Sequence, residues 1–448
     1  MDYNTYLVNV SRKTNQVQFP IWAGVLVNSL KLHGIEPKVI DLIPINQENR
    51  EEFFKSKLPG EPAIFGFDIV AGNNHLNETE KYAKIVRSSN SKNIIVYGGP
   101  LPSAIPEMLL NKCSCDYIIT GEGEFSFPAL IKSLRKGVGY PKDIRGLFYK
   151  KNGKIFGERR ERLIELGPHS NMNFDLFDMD FYINYLKETN QSFETMASRG
   201  CRGNCSFCYK FCGYGLSLRN VDLLLDEIQE IIGRFGIRKI YFVDENFLDL
   251  KKFFLEFIRK KRERGMNFTF IGQARLDSVD EEIIRVGKEN GLTCISAGIE
   301  SYSQETLNKI NKGMNIKDIE EKIKLIRKYN ILLLASFIVG FEWDTEKDFL
   351  ELEKFIIRNE LVKKSKIHYL TPLPETRIYK EAVAKSLIKN EFEYIRNLGD
   401  LYWERMINMT GLPDETLDYW HSRLYNLGSK DAVCPKSKEY IRQIRKIH

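Results

Sequence analysis

Residues Ser198–Tyr209 read SRGCRGNCSFCY and carry the three cysteines Cys201, Cys205 and Cys208. Thiolates at intervals of four and three residues can wrap one [4Fe–4S] cubane and leave its fourth iron without a protein ligand. Zinc is the alternative, because structural zinc takes four ligands and Cys212 would supply the fourth. The spacing favours the cluster, whose open iron predicts a site where a small molecule binds the metal.

The cysteine loop follows the first strand of a series of strands and helices. Apolar runs predict six strands, each followed by a helix of ten or more residues, at Glu194–Ser198, Lys239–Val243, Asn267–Gly272, Thr293–Gly298, Leu332–Val339 and Ile367–Leu370. Six βα units predict a (β/α)6 partial TIM barrel. The loop is therefore expected at the mouth formed by the carboxyl ends of the strands, where such barrels place their active sites.

Upstream of the loop, short strands again alternate with helices. The strands are predicted at Tyr6–Val10, Lys38–Leu42, Ala63–Val70, Asn93–Tyr97 and Tyr117–Thr120. This alternation predicts a parallel, doubly wound α/β sheet of flavodoxin or Rossmann type. Two strand ends carry Gly98-Gly99-Pro100 and Gly121-Glu122-Gly123-Glu124. Ligands of such sheets bind beyond the carboxyl ends of the strands, so both loops are candidate binding loops.

The remaining segments connect and extend these two units. Arg145–Tyr149 and Lys154–Phe156, separated by Asn152-Gly153, predict a β-hairpin. After Tyr379 the pattern becomes helical and aromatic. The domain hypothesis is a doubly wound domain over 1–140, a hairpin and linker over 141–191, the partial barrel over 192–380 and a mostly helical region over 381–448.

Composition places the chain among folded globular proteins, with 43% hydrophobic and 28% charged residues. The chain has 67 basic and 60 acidic residues, and its net charge of +7 is too small to predict nucleic-acid binding. No signal peptide and no membrane span are predicted. We expect a cytoplasmic protein whose crowded cysteines bind metal rather than form disulfides.

The CxxxCxxC loop, with Phe207 just before its last cysteine, resembles the radical S-adenosylmethionine (SAM) superfamily, in which SAM binds the open iron of the cluster. Motifs at the ends of four further strands add to the resemblance. It implies SAM contacts from Phe207, Asp244, Glu245, Gln273, Arg275, Glu300, Ser301 and Gly340. The family's glycine-and-glutamate motif, which contacts the SAM amino group, lacks its glycines here, so that contact stays open between Asp244 and Glu245.

A flavodoxin-like unit ahead of such a barrel resembles the cobalamin-binding branch of the superfamily. The resemblance implies a cobalamin site formed by Gly98, Gly99, Pro100, Ser103, Gly121, Glu122, Gly123 and Glu124. Glycines let the backbone approach a large flat ligand. The loop Ser11–Phe19 has no histidine to bind cobalt from below, which fits a branch that commonly does without one. His75 either approaches the corrin or is a solvated loop residue.

The resemblance implies reductive cleavage of SAM at the cluster, with a reduced flavodoxin or ferredoxin as electron donor. The leading reaction is methylation of an unactivated carbon, or of phosphorus, in a small-molecule or peptide substrate. One alternative is a radical SAM cyclase, ring contractase, decarboxylase or other rearrangement in which cobalamin does not carry the methyl group. A non-enzymatic iron–sulfur or zinc module is the other.

Overall fold

The computed structural model describes residues 3–10, 17–159, 165–210, 215–400 and 404–427. Its N-terminal part is a seven-stranded sheet with strand order β2-β1-β3-β4-β5-β6-β7. The strands are β1 (Asn4–Asn9), β2 (Pro37–Asp41), β3 (Ala63–Asp68), β4 (Ile94–Gly98), β5 (Tyr117–Ile119), β6 (Leu147–Lys151) and β7 (Lys154–Gly157). The helices are α1 (Ile21–Leu32), α2 (Arg50–Ser56), α3 (His75–Ser89), α4 (Pro100–Ala104), α5 (Pro106–Lys112) and α6 (Ser126–Arg135).

Strands β1 to β5 are parallel, and their order 2-1-3-4-5 is that of flavodoxin-like sheets. The side chains of β1 alternate between two separate hydrophobic cores. Tyr6 and Val8 pack in the core that contains Phe54 of α2, whereas Leu7 packs in the core that contains Leu30 of α1. Helices therefore cover both faces, and the predicted doubly wound domain is confirmed.

The hairpin of β6 and β7 continues this sheet. Strand β6 pairs antiparallel with β5 and with β7. Asn152 and Gly153 take positive φ angles of 50° and 77° between the two strands, as a tight hairpin turn requires. The predicted hairpin is confirmed, and its pairing with β5 makes it the edge of the N-terminal sheet.

The second half of the chain is a six-stranded parallel half-barrel with strand order β16-β15-β14-β13-β12-β9. Its strands are β9 (Phe193–Thr195), β12 (Lys239–Phe242), β13 (Thr269–Ala274), β14 (Leu292–Glu300), β15 (Leu332–Val339) and β16 (Ser365–Tyr369). Its helices are α8 (Val221–Phe235), α9 (Lys251–Glu263), α10 (Glu281–Glu289), α11 (Gln304–Lys309), α12 (Ile316–Lys328), α13 (Glu346–Arg358) and α14 (Arg377–Ala384). The predicted partial barrel is confirmed.

Local signals set the two ends of helix α8. The Asn220 side chain accepts hydrogen bonds from the N–H groups of Asp222 and Leu223, and Gly236 ends the helix in the left-handed conformation. The predicted minimum of ten residues per helix was wrong for α10, which has nine residues, and for α14, which has eight.

The connecting segment contributes α7 (Met179–Thr189) and part of a small third sheet. This sheet has strand order β10-β11-β8, formed by β8 (Glu165–Leu166), β10 (Ser198–Arg199) and β11 (Ser217–Arg219). The predicted strand over 194–198 is thus two strands, β9 and β10, which belong to different sheets. The break between them turns the chain out of the half-barrel and into the cysteine loop.

The described part of the C-terminal region contains α15 (Glu391–Arg396) and α16 (Asp414–Tyr425). Helix α16 covers the outer strand β16: the His421 ring stacks on Tyr369 at 3.8 Å, and His421 Nε2 lies 3.1 Å from the Ile367 carbonyl. The mostly helical extension is therefore confirmed for these residues, and it closes one edge of the half-barrel.

Candidate active site between the two domains

The cysteine loop is held at its base by strand pairing and by the buried carboxylate of Asp244. Strands β10 and β11 pair antiparallel, which places Arg199 opposite Ser217. Asp244 accepts hydrogen bonds from the Ala197 N–H at 2.9 Å and the Ser198 hydroxyl at 2.5 Å. Burial raises the pKa of Asp244 to about 6. Asp244 is 1% exposed, so its buried carboxylate holds the chain at the point where it enters the cysteine loop.

Within the loop, N–H groups point at the cysteine sulfurs. Cys201 Sγ accepts from the Gly203 N–H at 3.2 Å and from Asn246 Nδ2 at 2.8 Å, and Arg275 Nη1 lies 3.8 Å from Cys205 Sγ. Burial, followed by the nearby Cys205 and Cys201, raises the pKa of the Cys208 thiol to about 12. Donors around the sulfurs stabilise thiolates, so these residues fit an iron–sulfur cluster.

Among the described residues, no three His, Cys, Asp or Glu side chains converge as ligands do around a lone metal ion. A cubane differs in this respect, because each cysteine sulfur binds its own iron atom. All three loop cysteines are free thiols and partly exposed. Cys212, which the zinc alternative requires, lies outside the described residues.

Three of the residues expected to contact SAM connect to the cysteine loop, two of them through one polar network and the third by a separate hydrogen bond. Arg275 reaches Cys205 with Nη1 and donates from Nη2 to the Lys312 carbonyl. Lys312 Nζ donates to Glu300 Oε1 at 2.8 Å, and the backbone of Glu300 has a positive φ of 73°. Glu245, the third, accepts from the Gly200 N–H at 2.9 Å just before Cys201.

The other predicted SAM residues occupy separate positions around the mouth of the half-barrel. Gln273 donates to the Tyr241 hydroxyl at 3.1 Å, and Ser301 accepts from the Ser303 N–H at 3.1 Å. Gly340 has a φ of 109°, and its N–H donates to Asp344 at 2.9 Å. Phe207 of the cysteine loop packs edge-on against Phe341, the residue after Gly340, with ring centroids 6.3 Å apart.

A cavity of about 570 Å³ separates the two domains and is called the interdomain cavity below. Its volume lies within the roughly 300–1,000 Å³ of cofactor and small-molecule sites. The N-terminal domain contributes the predicted cobalamin loops, namely Gly98, Gly99, Pro100, Gly121, Glu122, Gly123 and Glu124. The half-barrel side contributes Glu194, Met196, Ser198, Arg199, Val243 and Glu245. Glu245, one of the residues expected to contact SAM, therefore borders the same space as the predicted cobalamin loops.

The glycines of the two loops fit a flat ligand in different ways. A Cβ on Gly98 would meet the Ile119 carbonyl at 3.8 Å as its nearest neighbour, so the cavity side of Gly98 is open. Gly99 has a φ of 94°, and a Cβ there would overlap the Asp68 carboxylate. Gly121 also has a positive φ, 72°. The open face at Gly98 is a cradle that a side chain would fill, as expected for a corrin site.

Ser103 joins the two glycine loops rather than lining the cavity. Its hydroxyl accepts from the Gly121 N–H at 2.8 Å and donates to the Gly99 carbonyl at 2.8 Å. Two short helices, α4 and α5, follow the first glycine loop, and Pro100 is the first residue of α4. The first glycine loop therefore runs directly into a helix.

Two residues that the sequence analysis missed link the cysteine loop to these glycine loops. Arg199 Nη1 lies 3.2 Å from Glu122 Oε1 and 2.6 Å from Glu124 Oε1. The hydroxyl of Tyr209 donates to the Pro100 carbonyl at 2.6 Å. Their positions beside Cys201 and Cys208 were visible in the sequence, but no local pattern identifies partners so far away along the chain.

His75 is buried at the start of α3, and its Nδ1 accepts from the Val70 N–H at 3.1 Å. The interpretation of His75 as a solvated loop residue was therefore wrong, because the loop after β3 folds over it. The lining of the interdomain cavity formed by described residues includes no histidine.

In the part of the chain that the structure describes, no helix is long and apolar enough to cross a membrane.

Comparisons with known proteins agree with both halves of this site. Residues 195–356 match the family model of the radical SAM superfamily, and residues 9–131 match that of the B12-binding domain. An uncharacterized methyltransferase of Pyrococcus horikoshii is 31% identical over 338 residues, which cover 73% of this chain and 71% of that protein. An anaerobic magnesium-protoporphyrin IX monomethyl ester cyclase of Synechocystis sp. is 27% identical over 301 residues, covering 66% of this chain and 59% of that protein.

Among solved structures, the radical SAM methyltransferase TsrM from Kitasatospora setae, with cobalamin and a [4Fe–4S] cluster bound, has the same fold. Its TM-score is 0.71 at 18% sequence identity, with 86% of this chain and 78% of that chain covered. The family of this protein is shown by the two matched domains, in this order along the chain, and by the 31% identity across most of both chains. This protein belongs to the radical SAM superfamily, in the branch with a B12-binding domain, and is an enzyme that uses a [4Fe–4S] cluster, SAM and cobalamin.

Proposed function

We propose that the enzyme transfers a methyl group from SAM to an unactivated carbon, or to phosphorus, of a small-molecule or peptide substrate. The observation that carries the proposal is the interdomain cavity, because the glycine loops on one side and the entry to the cysteine loop on the other border one space. When bound, the cluster supplies the electron that cleaves SAM to methionine and a 5′-deoxyadenosyl radical, and cobalamin carries a methyl group. Methyl transfer to a substrate radical would require both cofactors to reach one cavity, and the glycine loops and Glu245 border such a cavity.

The chain's own residues have the following roles in this proposal. Cys201, Cys205 and Cys208 bind three irons, and Asn246 and Arg275 stabilise two of the thiolates by donating hydrogen bonds. Of the two carboxylates considered for the SAM amino group, Glu245 is favoured, because it borders the cavity whereas Asp244 is occupied by the loop backbone. Gly340 and Phe207 then border the adenine side of SAM.

Methyltransferase and cyclase names both occur among the relatives, so the competing hypothesis is a radical SAM cyclase in which cobalamin does not carry the methyl group. The proposal also includes a reduced flavodoxin or ferredoxin as the one-electron donor and a cytoplasmic location. Free thiols at all six described cysteines support that location, since reducing compartments keep thiols unpaired.

The experiment that separates these functions needs no knowledge of the substrate. The reconstituted enzyme is incubated anaerobically with hydroxocobalamin, a reductant and SAM labelled in its methyl group. Label in the corrinoid fraction together with S-adenosylhomocysteine supports methyl transfer. 5′-Deoxyadenosine formed with neither of these products would contradict it and favour the cyclase hypothesis.

A Cys201→Ala variant serves as the control for this experiment. It lacks one cluster ligand, so it should form no 5′-deoxyadenosine. It keeps the glycine loops and should still take up hydroxocobalamin. The comparison therefore shows whether the 5′-deoxyadenosine comes from the cluster of this enzyme.

A further inference from the structure

The two ends of the cysteine loop are each tied to a different glycine loop of the N-terminal domain. At one end, two residues before Cys201, Arg199 bridges Glu122 and Glu124 of the second glycine loop. At the other end, directly after Cys208, the Tyr209 hydroxyl donates to the carbonyl of Pro100 in the first glycine loop. The cluster ligands therefore lie between two attachments to the predicted corrin site.

The ion pairs of Arg199 are buried, so they depend on the positions of both the cysteine loop and the second glycine loop. The side chains of Glu122 and Glu124 are 2% and 4% exposed, and that of Arg199 is 14% exposed. Two carboxylates so far from water need the guanidinium between them, since a buried charge that loses its partner is strongly destabilising. A displacement of the cysteine loop would therefore displace the second glycine loop as well.

The attachment at Tyr209 reaches the same unit by a second route. Ser103 hydrogen-bonds to both Gly99 and Gly121, so the two glycine loops are connected to each other. Pro100 starts helix α4, and a hydrogen bond to its carbonyl fixes the position of that helix terminus relative to the cysteine loop. Both ends of the cysteine loop thus act on one connected pair of glycine loops.

We infer that Arg199 and Tyr209 are positioning residues that couple cluster binding to cobalamin binding. Iron bound to the three cysteines fixes both ends of the loop, and through Arg199 and Tyr209 this orders the glycine loops for the corrin. By linkage, bound corrinoid stabilises the cluster-binding conformation by the same factor. The inference requires only that both cofactors bind, so it stands or falls separately from the proposed methyl transfer.

The test is a pair of dissociation constants for hydroxocobalamin, measured by absorbance titration. One is measured with full-length protein stripped of iron by a chelator, and the other after anaerobic reconstitution of the cluster. For the wild type we expect tighter binding with the cluster, by a factor of about 5 to 150 as is typical of coupled sites. Tyr209→Phe and Arg199→Gln should each lower this ratio, because each variant removes one of the two attachments.

Matched controls come from the C-terminal part of the chain. The Tyr394 hydroxyl donates to the Pro372 carbonyl at 2.9 Å, so Tyr394→Phe removes the same type of bond elsewhere. Arg405 lies 2.9 Å from Asp414 and 2.8 Å from Asp418, so Arg405→Gln breaks a bridge between two carboxylates that are more exposed than Glu122 and Glu124. Both control variants should keep the wild-type ratio.

The ratio distinguishes coupling from a merely structural role, because a structural defect weakens binding in both states equally and leaves the ratio unchanged. Tyr209→Phe loses one hydroxyl only and should keep a full complement of iron, so it decides the matter even if Arg199→Gln fails to fold. A wild-type ratio near one, an unchanged ratio in Tyr209→Phe, or no hydroxocobalamin binding in either state overturns the inference. Failure of label transfer to the corrinoid fraction would leave the ratio, and hence this inference, unaffected.

Discussion

Gly98 and Gly99 are adjacent, but the protein's own structure requires glycine only at Gly99. At Gly99 the protein itself excludes a side chain, because φ is positive and Asp68 occupies the space of a Cβ. At Gly98 the nearest protein atom is 3.8 Å from a Cβ, and only the cavity would receive a larger side chain. A substitution at Gly98 therefore tests the predicted corrin site, whereas a substitution at Gly99 tests the fold.

Replacing Gly98 by Val should weaken hydroxocobalamin binding at least about tenfold, or 1.4 kcal/mol, because the side chain would occupy space that the ring needs. Iron content and the thermal midpoint should stay at wild-type values. Gly99→Ala, in contrast, should lower the thermal midpoint as well as hydroxocobalamin binding. Gly60→Val is the control, since a Cβ on Gly60 meets nothing within 4 Å. Wild-type corrinoid affinity in Gly98→Val would rule out a corrin at this loop.

The three loop cysteines give a second prediction at this scale. Cys201→Ala, Cys205→Ala and Cys208→Ala should each abolish reductive cleavage of SAM. Each of the three cysteines binds one iron of the cluster, and only the fourth iron stays open for SAM. Cys212→Ala should keep a cluster whose spectrum responds to SAM. The measurement is 5′-deoxyadenosine formation after anaerobic reconstitution. An equal loss in Cys212→Ala would point instead to a four-ligand zinc site or a closed cluster.

At the scale of elements, the turn after β15 depends on one buried carboxylate. Asp344 accepts the Gly340 N–H at 2.9 Å and the Phe341 N–H at 3.0 Å, which fixes the strand end beside Phe207. Burial raises the pKa of Asp344 to about 7, and the two backbone hydrogen bonds oppose that rise. The turn therefore combines a polar anchor with an apolar surrounding.

This carboxylate predicts how stability changes with pH. The unfolded carboxyl has a pKa of about 3.9, so between roughly pH 4 and pH 7 the folded state binds more protons than the unfolded state. The contribution of Asp344 to the free energy of unfolding should therefore fall as the pH rises through that window. In Asp344→Asn, urea unfolding should lose this part of the pH dependence. Identical pH profiles for the two proteins would contradict the assignment.

At the scale of the whole molecule, the interdomain cavity makes ligand binding a contact between domains. Trp22 of α1 borders this cavity. Hydroxocobalamin should therefore quench Trp22 fluorescence, and at a hundredfold excess over Kd it should add about 2.7 kcal/mol of stability to the folded chain. A titration of tryptophan emission measures the first effect, and a thermal scan measures the second.

Trp22→Phe is the control for this titration. The variant should lose most of the quenching, while the rise in thermal midpoint persists because the rest of the cavity is retained. Equal quenching in the wild type and in Trp22→Phe would place the corrinoid elsewhere.

The amino-acid sequence by itself determined the order of strands and helices, the two domain types and the position of the cysteine loop. These follow from short-range patterns, such as the cap residues Asn220 and Gly236 of α8, that act within a few residues. The tertiary structure alone decided that Arg199 joins Glu122 and Glu124, and that Tyr209 reaches Pro100, 109 residues away along the chain. Such contacts depend on how whole domains pack, because their partners are brought together by burial and not by local spacing.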